Sequence, residues 1–308
     1  MGSLFIKRID NLMRKGKDHV FDFNDPEAVR KFRETAQRMF SVMRKTRSVR
    51  IEQLQIGSVS AEKHTLKKPE VPDPLVMLYL HGGGYFSGSA EMYRSIVSNL
   101  CRKLQVNAYC IDYRLIPEHP YPAALDDAFT AYKWLLEEQS IPAGNTFIAG
   151  DSAGGGLVLS LLHRIGTHNL PQPKCAVCIS PWTDLTLSND TYVTNRESDS
   201  LFNFTNLENA ARLFTGGDSA ENPEISPIYS DFNGFPPVFL QAGSTEMLLD
   251  DSVIIAEKMK QRGVNVTIDV WEGLFHVFPL FATMPVIGRL TPEFKQAQNN
   301  LKHFMDNL

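Results

Sequence analysis

Gly150-Asp151-Ser152-Ala153-Gly154 is the stretch around which the rest of the chain is organised. It lies between a short apolar run of strand type, 146–149, and a long apolar run of helical length, 155–162. A serine between small residues at a strand-to-helix junction is typical of a sharp turn that exposes the hydroxyl group of a nucleophile. The free N–H groups at the start of the helix point to the same place. The stretch therefore predicts that Ser152 is a nucleophile.

The glycine-rich segment 150–156 has a second interpretation, as a phosphate-binding loop. Such a loop ends in Gly-Lys followed by Ser or Thr, whereas Leu157 follows Gly156 here. The five-residue motif also occurs by chance in loops. The nucleophile interpretation therefore depends on finding a base, an acid and an oxyanion site elsewhere in the sequence.

Length and composition predict one large α/β domain with room for a small accessory subdomain. The chain has 308 residues, 43% of them hydrophobic, and a net charge of −4. We read no bilayer-spanning apolar run and no secretory signal, so we expect a cytoplasmic location. Four cysteines in a chain of this length do not make a disulfide framework. Cys175 and Cys178 lie on opposite faces of a predicted strand, so all four are expected to be reduced and structural.

The first fifty residues are basic, with 13 Lys or Arg against 6 Asp or Glu. A nucleic-acid-binding arm would cluster this charge without an apolar face. Asp25-Pro26 instead predicts the start of a helix. Apolar residues then recur at helical spacing, and a weaker stripe precedes them. The two stripes are Val29, Phe32, Ala36, Met39, Phe40 and Met43, and Leu4, Phe5, Ile9, Leu12 and Met13. We predict two amphipathic helices, with peripheral membrane contact as the alternative.

The rest of the chain alternates between strand and helix patterns. Strands are predicted at 75–80, 106–111, 146–149, 175–180, 238–243 and 266–271, after one or two edge strands within 49–59. Helices are predicted at 93–104, 123–138, 155–162, 252–261 and 292–305. This alternation predicts an α/β fold with a mostly parallel central sheet covered by helices on both faces.

One interval breaks the alternation and suggests a cap over the sheet. Residues 184–233 contain no strand pattern, only polar loop and a short helix at 207–214. We therefore divide the chain into four parts. These are N-terminal cap helices (1–47), a first core part (48–183), a cap insertion (184–233) and a second core part (234–308).

Of the eight histidines, only His276 follows the last predicted strand immediately and lies in a loop. In folds with this nucleophile turn, the order along the chain is serine, acid, histidine. His276 is therefore the predicted general base. The acid should follow the preceding strand, where Glu246, Asp250 and Asp251 stand. Capping and the helix dipole explain the two aspartates at a helix start, so we choose Glu246 and keep Asp250 as the alternative.

The oxyanion site is predicted in the segment His81-Gly82-Gly83-Gly84, which follows the strand at 75–80. Three glycines allow the backbone to approach a ligand closely and to turn its N–H groups inward. The alternative is a flexible turn, but the nearby nucleophile favours an oxyanion hole. We assign the N–H groups of Gly83, Gly84 and Ala153 as its donors.

Together these motifs resemble the hormone-sensitive-lipase-like family of α/β-hydrolases, the carboxylesterases with a His-Gly-Gly-Gly box. The resemblance runs from about residue 75 to 278. The resembling segments are 81–85, 112–118, 121–127, 150–155, 180–184 and the residues around His276. The family's acid box usually reads Gly-x-x-Asp-x-Leu-x-Asp, with its first Asp as the triad acid, and Glu246 occupies that place with one methylene more. Asp112, Arg114 and Glu118 match a motif that implies an ion-paired network supporting the oxyanion loop.

The resemblance implies an α/β-hydrolase fold with a helical cap. It also implies hydrolysis of short- to medium-chain carboxylic esters by a serine carboxylesterase through an acyl-enzyme. It implies no metal or cofactor, and a small-molecule ester as partner, without nucleic acid or stable membrane insertion; a homodimer stays open. The alternatives are an amide or lactone hydrolase, a deacetylase or an acyltransferase with the same triad. A non-catalytic receptor is a further alternative, against which the presence of both Ser152 and His276 argues.

Aromatic and aliphatic residues near these segments are candidates for the substrate pocket, although they would serve equally as the core of the cap. The candidates are Tyr85, Phe202, Phe204, Phe214 and Leu274.

Overall fold

The computed structural model describes residues 2–41, 46–283 and 290–308. Within these residues, eight strands form one central sheet. The strand order in the sheet is β1-β2-β4-β3-β5-β6-β7-β8. The strands are β1 (Val49–Ile56), β2 (Val59–Leu66), β3 (Val76–Leu80), β4 (Asn107–Asp112), β5 (Thr146–Asp151), β6 (Ala176–Ile179), β7 (Val238–Gly243) and β8 (Val266–Trp271).

The sheet is parallel from β4 to β8, and β2 is antiparallel to both β1 and β4. Leu80 at the end of β3 pairs with Gly150 near the end of β5. Gly243 at the end of β7 pairs with Trp271 at the end of β8. Because the strands are parallel, the loops that follow them emerge at one edge of the sheet. The candidate site residues therefore lie at the carboxyl edge.

Helices cover both faces of this sheet, as predicted. The helices are α1 (Gly2–Arg14), α2 (Pro26–Ser41), α3 (Ala90–Leu104), α4 (Ala123–Glu137), α5 (Ala153–Thr167), α6 (Thr191–Thr194), α7 (Phe204–Thr215), α8 (Leu249–Gln261) and α9 (Pro292–Asp306). The strands send alternate side chains to opposite faces. Leu78 belongs to a buried cluster that includes residues of α4, α5 and α8, whereas Tyr79 belongs to a second cluster that includes residues of α3 and α9.

Local sequence signals account for the starts of α2 and α3. Asp25 Oδ1 accepts a hydrogen bond from Glu27 N (2.9 Å), at the predicted start of α2. The helix predicted from residue 93 begins earlier, at Ala90, because the Ser89 side chain caps it by accepting from Met92 N. The interval predicted to hold one or two edge strands contains one complete strand, β1, which forms an antiparallel hairpin with β2, the next strand in the sheet.

The N-terminal segment contacts the insertion at several points. The Arg14 guanidinium donates to the carbonyls of Glu197 and Ser198, each at 2.6 Å. Asn206 accepts from Phe21 N (2.8 Å) and donates to the carbonyl of His19 (2.8 Å). These contacts join the segment before β1 to the loop and helix that follow β6.

The predicted apolar stripes are only partly buried. In α1, Ile6 and Ile9 are buried, but Leu12 is 68% exposed, so its place on the buried face was wrong. In α2, Val29 is buried, whereas Phe32 is 40% exposed and packs by one edge against Phe21. Met43 lies outside the described residues, as do the side chains of Leu4, Phe5 and Met39.

The four cysteines are free and buried, as expected. Cys175 packs with one face of the sheet and Cys178 with the other, so their sulfurs point apart. Burial raises the pKa of the Cys175 thiol to about 12, and a protonated thiol is a poor nucleophile. Among the described helices, none has a stretch that is long and apolar enough to cross a bilayer.

Capping does not explain Asp251, one of the two aspartates at the start of α8, and that expectation was therefore wrong for this residue. Its side chain is fully buried and accepts hydrogen bonds from Thr183 N (2.6 Å) and Asp184 N (2.8 Å). Its other oxygen accepts from the Asn189 side chain (3.0 Å). Asp251 therefore fixes the start of the insertion on α8. Burial, and secondly the negative charge of Asp184, raise the pKa of Asp251 to about 7.

Asp251→Asn should change how stability depends on pH. Since the pKa of Asp251 is raised in the folded protein, the folded state binds more protons than the unfolded state between about pH 4 and 7. The contribution of Asp251 to the unfolding free energy is therefore complete below about pH 4 and is lost as the pH rises to about 7. The asparagine cannot titrate. We expect the unfolding free energy of wild type, relative to Asp251→Asn, to fall from pH 4 to 8 by about 4 kcal/mol at most.

The measurement is thermal or urea unfolding of both proteins across this pH range. The control is Asp218→Asn, because the Asp218 side chain is exposed. Its difference from wild type should stay constant with pH. A difference between wild type and Asp251→Asn that is flat, or that rises with pH, would contradict the assignment.

Candidate active site

Ser152 stands at the turn between β5 and α5 with φ 54° and ψ −126°. Residues with side chains avoid this region, so the turn stores strain that neighbouring contacts must offset. Ser152 N donates to the carbonyl of Ile179 (2.8 Å). The Ser152 carbonyl accepts from Gly156 N (3.1 Å) and Trp182 N (3.0 Å). The backbone of the serine is therefore held from both β6 and the loop that follows it.

Backbone crowding explains the two glycines on either side of Ser152. A Cβ atom on Gly150 would lie 2.5 Å from the carbonyl oxygen of Gly154. A Cβ atom on Gly154 would lie 2.1 Å from the carbonyl oxygen of Leu80, at the end of β3. Both obstacles are backbone atoms, which cannot rotate away. The turn can therefore pack this closely against the sheet only with glycine at both positions.

The structure brings Glu246, and not Asp250, to His276. The distance from Glu246 Oε2 to His276 Nδ1 is 2.7 Å, and both side chains are buried. Glu246 Oε1 accepts from Ser180 Oγ (2.8 Å) and Gly243 N (2.5 Å). The Asp250 carboxylate instead accepts from Thr191 N (3.1 Å), which links α8 to the insertion.

The contact with Glu246 defines the chemistry of the imidazole. An ionised carboxylate can only accept, so Nδ1 of His276 carries the proton of this hydrogen bond. The lone pair then lies on Nε2. This atom is buried and makes no hydrogen bond within the described residues. His276 is therefore arranged to accept a proton at Nε2.

The segment after β3 presents unpaired backbone donors. Gly83, Gly84 and Tyr85 follow one another with φ values of 117°, 61° and 64°. The Gly83 carbonyl accepts from Phe86 N (3.1 Å) and Ser87 N (3.0 Å), which closes the loop. Within the described part of the chain, the N–H groups of Gly83, Gly84 and Ala153 have no hydrogen-bond acceptor. Three donors of the kind an oxyanion hole requires are thus available.

Asp151 is a residue whose importance the sequence did not reveal. Its buried carboxylate accepts from Tyr79 Oη (2.8 Å), Tyr93 Oη (2.9 Å) and Gly82 N (3.1 Å). Burial raises the pKa of Asp151 to about 6. Because Asp151 directly precedes Ser152, its hydrogen bond with Gly82 connects the glycine segment after β3 to the turn that carries Ser152. The available signal was a carboxylate within an otherwise apolar strand.

Ser180 is a second residue that sequence reasoning missed. It directly follows β6, has φ 47° and is fully buried. Its hydroxyl donates to Glu246 and accepts from Val277 N (3.0 Å). One hydroxyl therefore fixes both the carboxylate and the residue after His276. Only its place at the end of a buried strand could have indicated this.

The motif residues Asp112, Arg114 and Glu118 are each held by a different partner. Among the described residues, these three do not pair with one another. Arg114 pairs with Asp127 (2.9 Å), and Glu118 pairs with Arg33 of α2 (2.8 Å). Asp112 instead accepts from the backbone of α3, at Ala90 N (2.6 Å). The strand β4 and the residues after it are therefore held by three separate elements.

The candidate pocket residues lie in different surroundings. Phe202 packs edge-on against the His276 ring, with centroids 4.5 Å apart. Tyr85 and Phe214 are buried and stacked on each other, with centroids 3.8 Å apart. Phe204 lies against the Arg196 guanidinium (3.9 Å). Leu274 is buried in the cluster that contains Ile6 and Ile9 of α1. Of the five candidates, Phe202 is the one with a ring contact to His276.

Comparison with known proteins agrees with this architecture. A family model of the alpha/beta hydrolase fold matches residues 77–280. An acetyl-hydrolase from Streptomyces hygroscopicus is 37% identical over 222 residues, 72% of this chain and 74% of that protein. An esterase from Acinetobacter venetianus is 32% identical over 262 residues, 85% and 83% of the two chains.

A solved structure shows the same likeness over almost the whole chain. A crystal structure of an esterase from the bacterial hormone-sensitive lipase family superposes with a TM-score of 0.87 at 31% sequence identity. The match covers 97% of this chain and 96% of that one.

Proposed function

Because the chain belongs to the hormone-sensitive-lipase-like family of α/β-hydrolases and is a carboxylic ester hydrolase, we propose that it acts through Ser152, His276 and Glu246. The observation that carries this proposal is the buried contact of 2.7 Å between His276 Nδ1 and Glu246 Oε2. It leaves the Nε2 lone pair available as a general base.

In the proposed first half-reaction, His276 Nε2 takes the Ser152 hydroxyl proton as Oγ attacks the ester carbonyl carbon. The N–H groups of Gly83, Gly84 and Ala153 hold the developing oxyanion. The bond to the leaving alcohol breaks, and His276 returns its proton to that oxygen. The product of this half-reaction is an ester between the acyl group and Ser152.

In the second half-reaction, His276 takes a proton from water, and the hydroxide attacks the acyl carbon. The same three N–H groups hold the second oxyanion. Collapse releases the carboxylic acid and returns the proton to Ser152 Oγ. Glu246 stabilises the imidazolium that forms in each half-reaction. Its extra methylene relative to Asp is accommodated because Ser180 and Gly243 fix Oε1.

The acyl group that we propose is short to medium in length. A relative at 37% identity is described as an acetyl-hydrolase, which supports this range. The proposed cap consists of the N-terminal helices and the insertion, which contact each other through Arg14 and Asn206. Phe202 of the insertion lies against the His276 ring and is the proposed lining residue nearest the chemistry.

Ser152→Ala should abolish ester hydrolysis and leave the fold intact. Alanine fits the turn, and loss of the nucleophile of such a triad costs about a million-fold in kcat. The measurement is p-nitrophenyl acetate turnover, with circular dichroism as the check on folding. Ser160→Ala is the matched control, because Ser160 is also buried in α5 but lies about two helical turns beyond Ser152. Near-normal turnover in Ser152→Ala would show that the nucleophile lies elsewhere.

A panel of p-nitrophenyl esters tests the proposed acyl length. We expect the highest kcat/KM between acetate and caprylate, and a value for palmitate that is lower by about tenfold or more. A matched p-nitroanilide should react far more slowly, since its amide bond is the harder to break. Palmitate as the best substrate would refute the chain length, and equal cleavage of the anilide would favour an amide hydrolase.

Glu246→Gln and Asp250→Asn separate the proposed acid from its neighbour. In Glu246→Gln, the amide oxygen can keep the contacts with Ser180 and Gly243, which turns the NH₂ group toward His276 Nδ1. This favours the tautomer with its proton on Nε2, which cannot act as the base. The loss should be about 10⁴-fold in kcat.

Asp250→Asn should have a kcat within a few-fold of wild type and cost about 1 kcal/mol of stability or less. The reverse pattern would assign the acid to Asp250.

A further inference from the structure

We propose that Arg33 of α2 is a positioning residue for the oxyanion hole. This inference deepens the proposed function and rests on it, because it assumes that the N–H groups of Gly83 and Gly84 hold the oxyanion. Arg33 itself touches none of the reacting groups. It acts through the oxyanion loop, which we define as residues 83–87.

The Arg33 guanidinium makes four hydrogen bonds to the chain around this loop. Nε donates to the carbonyl of Phe86 (2.8 Å), and Nη2 donates to the carbonyl of Ile116 (2.9 Å). Nη1 and Nη2 also donate to the two oxygens of Glu118, at 2.9 and 2.8 Å. A planar guanidinium can satisfy these acceptors together, whereas an ammonium group cannot.

The loop needs such support because of its backbone conformation. Gly83, Gly84 and Tyr85 have positive φ values in succession, and Tyr85 carries a side chain that disfavours this region. The Tyr85 carbonyl accepts from Ile116 N (3.0 Å). Arg33 binds the carbonyls of Phe86 and Ile116, which lie on either side of this contact. The guanidinium therefore closes a ring of hydrogen bonds around the strained residue.

The side chain of Phe86 is held by the same part of the chain. Its ring packs against Phe21, Phe23 and Phe32, with centroids 5.7, 5.0 and 5.2 Å away. Phe86 thus contacts the N-terminal segment through both its carbonyl and its ring. The aromatic contacts fix the position of the side chain, and Arg33 fixes the main chain.

The expected consequence is a change in kcat rather than in KM. Without Arg33, the oxyanion loop is free to relax, and the N–H groups of Gly83 and Gly84 lose their alignment. Alignment with the oxyanion matters in the transition state and much less for binding the ester itself. A misplacement of about 1 Å is enough to reduce a rate by about 10²-fold.

The test compares Arg33→Met with a matched control on the same helix. Arg30 lies one turn away and pairs with Glu27 (2.6 Å) and Glu34 (2.5 Å) of α2 itself. In the described residues it makes no hydrogen bond to the oxyanion loop. For p-nitrophenyl acetate, we expect Arg33→Met to lower kcat by about 10- to 100-fold and to change KM less than threefold. Arg30→Met should leave both constants unchanged.

Arg33→Lys serves as the conservative variant. It keeps the charge but reaches fewer acceptors at once, so its kcat should lie between those of Arg33→Met and wild type. If Arg33→Met lacks a cooperative thermal transition, Arg33→Lys decides the test. An unchanged kcat in the folded variant, a rise in KM alone, or an equal loss of kcat in Arg30→Met would overturn the proposal.

Labelling of wild type keeps this outcome distinct from failure of the proposed function. A p-nitrophenyl phosphonate should label one serine, and peptide mass spectrometry should locate it at Ser152. A label elsewhere would refute the triad and the inference together. A label at Ser152 with unchanged kcat in Arg33→Met and Arg33→Lys would refute only the role of Arg33.

Discussion

The close approach of the Ser152 turn to the end of β3 is the constraint on which the rest of the site depends. Gly154 lies so near the Leu80 carbonyl that no side chain fits between them. This contact sets the serine and the glycine segment after β3 side by side at one edge of the sheet. The register between β3 and β5, with Leu80 opposite Gly150, provides the same alignment through backbone hydrogen bonds. The strain at Ser152 persists because Ile179 and Trp182 hold its peptide groups.

Buried carboxylates connect the loops at this edge. Asp151 binds Gly82 in the segment after β3, Glu246 binds Ser180 and His276, and Asp251 binds Asp184 at the start of the insertion. A buried carboxylate is costly unless each oxygen is hydrogen-bonded. Each of the three meets this condition through backbone N–H groups or side chains from a different part of the chain. The cost of their burial therefore favours one loop arrangement over others.

The N-terminal segment is coupled to the same arrangement. Arg14 joins it to the insertion, and Arg33 joins it to the loop that carries the proposed oxyanion donors. The helices before β1 therefore reach both the side of the site that carries Phe202 and the side that carries Gly83. The packing of the proposed cap can therefore influence the position of the proposed oxyanion donors as well as the access of substrate to the site.

The sequence by itself determined most of the strands and helices and indicated Ser152 and His276 as nucleophile and base. Local patterns define the turn at Ser152, the alternating strands and helices, and the loops that carry Glu246 and His276, because each pattern depends on neighbours within a few residues. The sequence had left Glu246 and Asp250 as alternatives for the acid, and the structure places Glu246 within 2.7 Å of His276. Only the tertiary structure revealed the hydrogen bonds of Ser180 with Glu246, of Thr183 with Asp251 and of Arg33 with Glu118. These partners are separated by 66, 68 and 85 residues. Hydrogen bonds over such separations depend on where the loops lie in the folded protein, and local sequence patterns do not give these positions.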